Sequence, residues 1–131
     1  VENIKELAGG SLEGKVIGVW GLAFKANTDD IRESPAMNIV ARLLARGSEV
    51  RAFDPVALAP KASGFSQVQN AELAAAGVDV LAVLTEWPEF AQVDPIKVSE
   101  SMKSKAVMDA RRVLPVDAWR SAVDNFRVLG G

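Results

Sequence analysis

At 131 residues, with 49% hydrophobic and 24% charged residues, the chain has the size and balance of a single globular domain with its own core. Its 15 basic and 17 acidic residues leave a net charge of −2, which argues against a nucleic-acid surface or a polybasic membrane surface. The absence of cysteine and histidine excludes disulfides, thiolate nucleophiles, Cys/His metal sites and histidine acid–base catalysis, and it suits a reducing, cytoplasmic setting. No apolar run approaches the roughly 18–20 residues that cross a bilayer, and the N-terminus carries no signal-peptide pattern.

In chain order, Val1, Ile4, Leu7 and Ala8 have helical spacing, and Gly9-Gly10 ends the run. With Val1 in place of an initiator Met, residues 1–10 read as the tail of a helix from a longer protein, and 11–131 as the domain proper. A short helix belonging wholly to this domain is the alternative. Val16-Ile17-Gly18-Val19-Trp20 is a continuous apolar run of the kind found in a central parallel strand, with Lys15 at its start. A long polar loop follows, from Gly21 to Ser34. Connections between a strand and its helix are usually about two to six residues, so this one is a first place to look for chemistry. Ser34 is a good N-cap and Pro35 a good first residue for a helix to Arg46, which Gly47 ends.

Glu49–Phe53 reads as the next strand, completing a βαβ unit, and Asp54-Pro55 ends it. Phe65–Val68 reads as a short strand or a plain connection. Asn70 caps a helix over Ala71–Ala76, stopped by Gly77. Asp79–Leu84 is the most apolar strand in the chain, and Thr85-Glu86-Trp87-Pro88-Glu89-Phe90 follows it. Asp94-Pro95 opens a helix to Met102. Lys105–Asp109 is a strand followed by Ala110-Arg111-Arg112, Val116–Val123 a helix, and Phe126–Leu129 a last strand. The alternation predicts an α/β fold: a Rossmann-like, doubly wound, mostly parallel sheet in three αβα layers. In such sheets ligands bind at the carboxyl ends of the strands. Those ends are the loops after Trp20, Phe53, Leu84 and Met108.

The Gly21 loop lacks the Gly-x-Gly-x-x-Gly pattern by which backbone amides approach a pyrophosphate. An anion there needs side-chain charge, and Lys25 and Arg32 supply it unless Asp29, Asp30 and Glu33 simply pair with them. The adjacent carboxylates Asp29 and Asp30 read as loop bracing rather than a metal or acid–base pair, and no metal is expected. Arg111 and Arg112 follow a strand end on the same rim, one as an anion ligand and the other as a surface ion pair. Trp87 and Phe90 read as exposed aromatics that stack on a base, form a lid, or pack against another domain or subunit.

Gly21-Leu22-Ala23-Phe24-Lys25-x-Asn27-Thr28-Asp29-Asp30-x-Arg32-Glu33-Ser34-Pro35 closely resembles the signature of the C-terminal, UDP-binding domain of the UDP-glucose/GDP-mannose dehydrogenase family. Phe53-Asp54-Pro55, the Leu84–Phe90 run and Asp109-Ala110-Arg111 agree in order and spacing. The Leu84–Phe90 run looks most like the UDP-glucose branch. The resemblance implies a piece of an enzyme that oxidises C6 of a nucleotide sugar twice with NAD⁺, UDP-glucose to UDP-glucuronate. The catalytic Cys, Lys and Asp, and the main NAD-binding domain, would lie outside this chain, leaving no catalytic residue within it. It implies substrate binding by Phe24, Lys25 and Arg111, with Phe24 against the base or ribose, and contact of Arg32 with NAD. Arg111 would cross into a substrate site, which can be that of a neighbouring subunit. The full-length enzyme would be a homodimer or higher. The state of the fragment is left open, a monomer being allowed because the family's dimerisation helix is mostly absent. Ala26 stands where the family often has Pro. Ala110 replaces a frequent Gly, which requires φ below zero or some strain. A non-catalytic α/β nucleotide-binding or protein-interaction module is the competing reading. A flavodoxin-like receiver with Asp54 as acceptor is weaker, for want of a partner lysine.

Overall fold

The computed structural model describes residues 1–23, 27–31, 34–60 and 63–129. Its strands β1 (Val16–Trp20), β2 (Glu49–Phe53), β3 (Ser66–Gln67), β4 (Val80–Val83), β5 (Ala106–Asp109) and β6 (Asn125–Val128) form one sheet in the order β3-β2-β1-β4-β5-β6. Every pairing is parallel. The helices are α1 (Glu2–Leu7), α2 (Pro35–Ala45), α3 (Ala71–Ala75), α4 (Pro95–Ser101) and α5 (Val116–Ala122).

The period of two along each strand splits the core into two layers. Ile17, Val19, Val50, Ala52, Val80, Ala82, Ala106 and Met108 face α1 and α2, meeting Ile4, Val40 and Leu43. Trp20, Phe53, Leu81, Val83 and Val107 face the other way and pack with Ala74 of α3, Val98 of α4 and Trp119 of α5. The expected three-layer, doubly wound fold is therefore present, with a sheet parallel throughout. α1 is part of the first layer: Ile4 is fully buried. Arg46 donates to Glu2, and Arg127 of β6 donates to Asn3 and Glu6, fastening α1 to the domain. The hydrogen bond from Arg46, together with the charges of Lys5 and Arg46, holds the Glu2 carboxyl below its ordinary range.

Element ends follow local chemistry. Ser34 caps α2 by accepting from the Met37 N–H, Asn70 caps α3 through Leu73, and Asp94 caps α4 through Ile96 and Lys97. Gly47 and Gly77 have φ of 90° and 72° just beyond helix ends, as expected of them. β4 stops one residue earlier than expected, yet the Leu84 N–H still donates to the Trp20 carbonyl at 2.8 Å. Ala110 does not have positive φ; the left-handed residue of that loop is Arg112, with φ 57°.

The expectation of exposed aromatics after β4 is corrected. Trp87 and Phe90 are both buried. A 3₁₀ turn over Pro88–Gln92, not foreseen, folds them back over the sheet. Phe90 lies 5.3 Å from the ring of Trp20 and 6.4 Å from that of Phe53, and Trp20 meets Trp119 edge-on at 5.9 Å. This aromatic cluster is core rather than a lid.

Two glycines allow close approach. A Cβ on Gly18 would collide with the Ala74 carbonyl oxygen, so this glycine lets α3 lie on β1. Gly21 has φ of +100°, and a Cβ there would come within 2.7 Å of the Thr85 backbone nitrogen. The turns leaving β1 and β4 can touch only because this position is bare.

Gly21→Ala is expected to lower stability by about 3 kcal/mol, combining backbone strain with overpacking against Thr85; urea denaturation of the chain checks this. A second comparison isolates one hydrogen bond. Trp20 Nε1 donates to the Ala71 carbonyl at 2.9 Å, whereas buried Trp119 Nε1 has no partner among the described residues. Trp20→Phe should therefore cost about 1 kcal/mol more than Trp119→Phe in paired urea melts.

Candidate functional site

The sheet order reverses between β1 and β4, so the crevice at their carboxyl ends is the topological switch point where ligands bind in open α/β sheets. The loops after β1, β2, β4 and β5 form its rim. Each is held by side chains whose identity the local chemistry demands.

Asp54, directly after β2, is 5% exposed. Its Oδ2 accepts from the backbone N–H of Leu22 at 2.8 Å and of Ala23 at 3.0 Å, and from Trp87 Nε1–H at 3.3 Å. Its Oδ1 accepts from the N–H of Val56 at 2.9 Å and of Ala57 at 2.7 Å. An ionised carboxylate is acceptor-only, which is what a ring of donors requires. One side chain thus ties the loops after β1, β2 and β4 together.

Further bonds set the loop after β1. The Gly21 N–H donates to the Phe53 carbonyl at 2.8 Å, and Thr85 Oγ1 donates to the Ala23 carbonyl at 3.0 Å. Ser34 Oγ donates to the Leu22 carbonyl at 2.7 Å while capping α2. The two ends of the long loop are thereby fastened to each other. Within it, Asn27 has φ of 66°, and Thr28 Oγ1 accepts from the Asp30 N–H at 3.1 Å. Asp29 is exposed. No group of acidic residues that could hold a metal ion occurs among the described residues.

On the β5 side, fully buried Asp109 accepts from the Arg111 N–H at 3.0 Å and the Leu114 N–H at 2.9 Å, shaping the turn that carries Arg111. The Arg111 guanidinium pairs with the Glu86 carboxylate across the rim. Both side chains are partly exposed, at 38% and 32%. Arg112 is exposed. Of the residues expected to bind ligand, Arg111 thus stands on the rim at the end of β5. Phe24, Lys25 and Arg32 lie outside the described residues.

The residues present do not build a dinucleotide cradle. β1 leads into Gly21-Leu22-Ala23, not a glycine-rich turn. The acidic residue after β2, which in such folds binds a ribose hydroxyl, is here saturated by the protein's own donors. Beyond β2 the surface opens into a cleft of about 530 Å³ lined by Phe53, Pro55, Leu58, Phe65 and Gln67. Both ends of the Gln67 amide are used, accepting from Ala59 N–H and donating to the Ala57 carbonyl.

The bracing roles of Asp54, Asp109 and Thr85 were not read from the sequence. The available signal was an Asp just past a strand, a residue whose short carboxylate readily accepts from the next backbone amides.

Comparison with known proteins agrees with this geometry. Residues 18–116 match the model of the UDP-glucose/GDP-mannose dehydrogenase family, UDP binding domain. The chain is 36% identical over 126 residues to UDP-glucose 6-dehydrogenase TuaD of Bacillus subtilis, covering 92% of this chain and 27% of that protein. It is 39% identical over 121 residues to UDP-glucose 6-dehydrogenase of Pseudomonas aeruginosa, covering 86% of this chain and again 27% of that protein. The structure of UDP-D-ManNAc dehydrogenase from Pyrococcus horikoshii superposes with a TM-score of 0.78 at 29% identity, covering 98% of this chain and 28% of that one. The chain thus spans little more than a quarter of the length of these relatives. The strand order, the rim and the match over 18–116 converge: this chain belongs to the UDP-glucose/GDP-mannose dehydrogenase family, as its UDP-binding domain.

Proposed function

We propose that the chain is the substrate-holding part of an NAD-dependent UDP-glucose 6-dehydrogenase, which oxidises UDP-glucose to UDP-glucuronate in two hydride transfers. The observation that carries this reading is Arg111, presented at the switch-point rim by the Asp109 turn, in a chain of this family. A diphosphate brings about two negative charges into a partly closed cleft, and its desolvation must be offset by charged donors. Arg111 and Lys25 supply that charge, with Phe24 against the base or ribose. Arg32 extends toward NAD, whose binding rests mainly with a domain outside this chain.

With no cysteine the chain offers no thiolate nucleophile, and the family resemblance assigns the catalytic Cys, Lys and Asp to parts of the enzyme outside it. This chain binds and orients. Hydride transfer then waits on closure of two domains, one carrying NAD and the other the nucleotide sugar. Residues 1–10 as the end of a helix arriving from a longer protein and packed on the domain, a homodimer or larger assembly of the whole enzyme, and a chain inactive by itself complete the reading. The 36% and 39% identities to two UDP-glucose 6-dehydrogenases support UDP-glucose over other nucleotide sugars.

Titration of the ¹⁵N-labelled chain with UDP-glucose, against GDP-mannose, tests this. Shifts centred on Phe24, Lys25 and Arg111 are expected with UDP-glucose alone, and added salt should weaken them. Lys25→Ala and Arg111→Ala should each reduce affinity about tenfold, the loss of a charge-assisted hydrogen bond. No shift at millimolar UDP-glucose, in the chain and in its full-length parent, would sink the reading and favour an interaction module. Equal response to both nucleotides would remove the assignment of the base.

A further inference from the structure

We propose that Asp54 is a positioning residue for nucleotide-sugar binding, holding with one buried carboxylate both the backbone of Leu22 and Ala23 and, through Trp87, the loop whose Glu86 pairs with Arg111; this rests on the reading above.

Two arms leave Asp54. The first is direct and short. Its Oδ2 fixes the amides of Leu22 and Ala23, and the next residues in the chain are Phe24 and Lys25. Two hydrogen bonds to successive amides hold the peptide plane between them, up to the point where the chain leaves Ala23. The second arm runs through Trp87, whose indole N–H donates to the same oxygen. Trp87 follows Glu86, and Glu86 holds the guanidinium of Arg111. The carboxylate therefore links the backbone after β1 to the side of the rim that carries Arg111.

The remaining oxygen anchors Asp54 itself. Oδ1 is held by Val56 and Ala57, in the tight turn after β2. The side chain cannot rotate to lose one set of donors without losing the other. Its geometry is thus transmitted rather than absorbed. An amide in its place has one acceptor oxygen: turned toward Val56 and Ala57 it detaches both arms, and turned toward Leu22, Ala23 and Trp87 it sets its NH₂ group against the Val56 and Ala57 N–H donors and displaces the anchor that holds both arms in place.

The test is UDP-glucose titration of Asp54→Asn in the ¹⁵N-labelled chain, beside the unaltered chain and Val80→Ala. Val80 is buried at the amino end of β4, the edge of the sheet opposite the rim, and packs in the layer of α1 and α2 rather than with Trp87, so its truncation loosens the core apart from the second arm. A loss of about tenfold in affinity for Asp54→Asn, with amide shifts at Leu22 and Ala23 and unchanged affinity for Val80→Ala, is expected. Unaltered affinity in Asp54→Asn overturns the proposal. Equal weakening in both variants also overturns it, because general loosening would then account for the loss. If Asp54→Asn does not fold, Trp87→Phe tests the second arm alone: it should weaken binding about threefold, and no change overturns the proposal. Where the unaltered chain does not bind, the same comparison is made in its full-length parent; failure of the unaltered parent as well overturns the nucleotide-sugar reading itself, and Asp54's role with it, and is told apart by appearing without any substitution.

Discussion

The rim of this domain depends on a buried carboxylate surrounded by donors. Removing a carboxylate from water costs several kcal/mol unless its charge is met by hydrogen bonds or a partner. At Asp54 the compensation comes from four backbone amides and one indole. Those amides belong to residues just past the ends of β1 and β2, where ladder partners run out and N–H groups would otherwise be orphaned. The two liabilities cancel each other. The same logic recurs at Asp109, where a fully buried carboxylate takes the free amides after β5. The irregular backbone of the rim is thus held by acidic side chains at strand ends.

This use of Asp54 also separates the domain from dinucleotide-binding relatives of similar topology. With the order β3-β2-β1-β4-β5-β6, an acidic residue at the end of β2 is where such proteins meet a ribose. Here the carboxylate points inward and is consumed. Without it, and without a glycine-rich turn after β1, an anion at this rim would need charge from side chains such as Arg111. The fold is shared, and the chemistry at its switch point is not.

Much of this architecture was legible in the residues. Apolar runs such as Val16–Trp20 and Val80–Val83 are short and continuous, as strands covered on both faces must be. Ser34, Asn70 and Asp94 announced their helices because an N-cap needs a short side-chain acceptor. What could not be read was tertiary. Trp87 and Phe90 sit in a polar, proline-containing stretch, and only the 3₁₀ turn and the waiting surface of Trp20 and Phe53 make them core. Asp54 looked like a turn residue, and its reach to Leu22 and Trp87 spans more than 30 positions. Arg111 could be placed on the rim from its strand, while its pairing with Glu86 required the loops to be folded.

That pairing has a consequence for binding. An ion pair with both members about a third exposed is worth about 0–1 kcal/mol, since water and salt screen it and side-chain entropy opposes it. A guanidinium held so weakly remains oriented over the rim, yet is available to an incoming anion at little cost. A phosphate oxygen offers it a charge-assisted, bidentate contact of greater strength. Had Arg111 been paired in the interior, leaving Glu86 would have stranded a buried charge at a cost of several kcal/mol. Placing the pair at the edge, above a turn fixed by Asp109, combines a rigid backbone with a side chain free to change partners. That combination suits the anion-binding role proposed for Arg111.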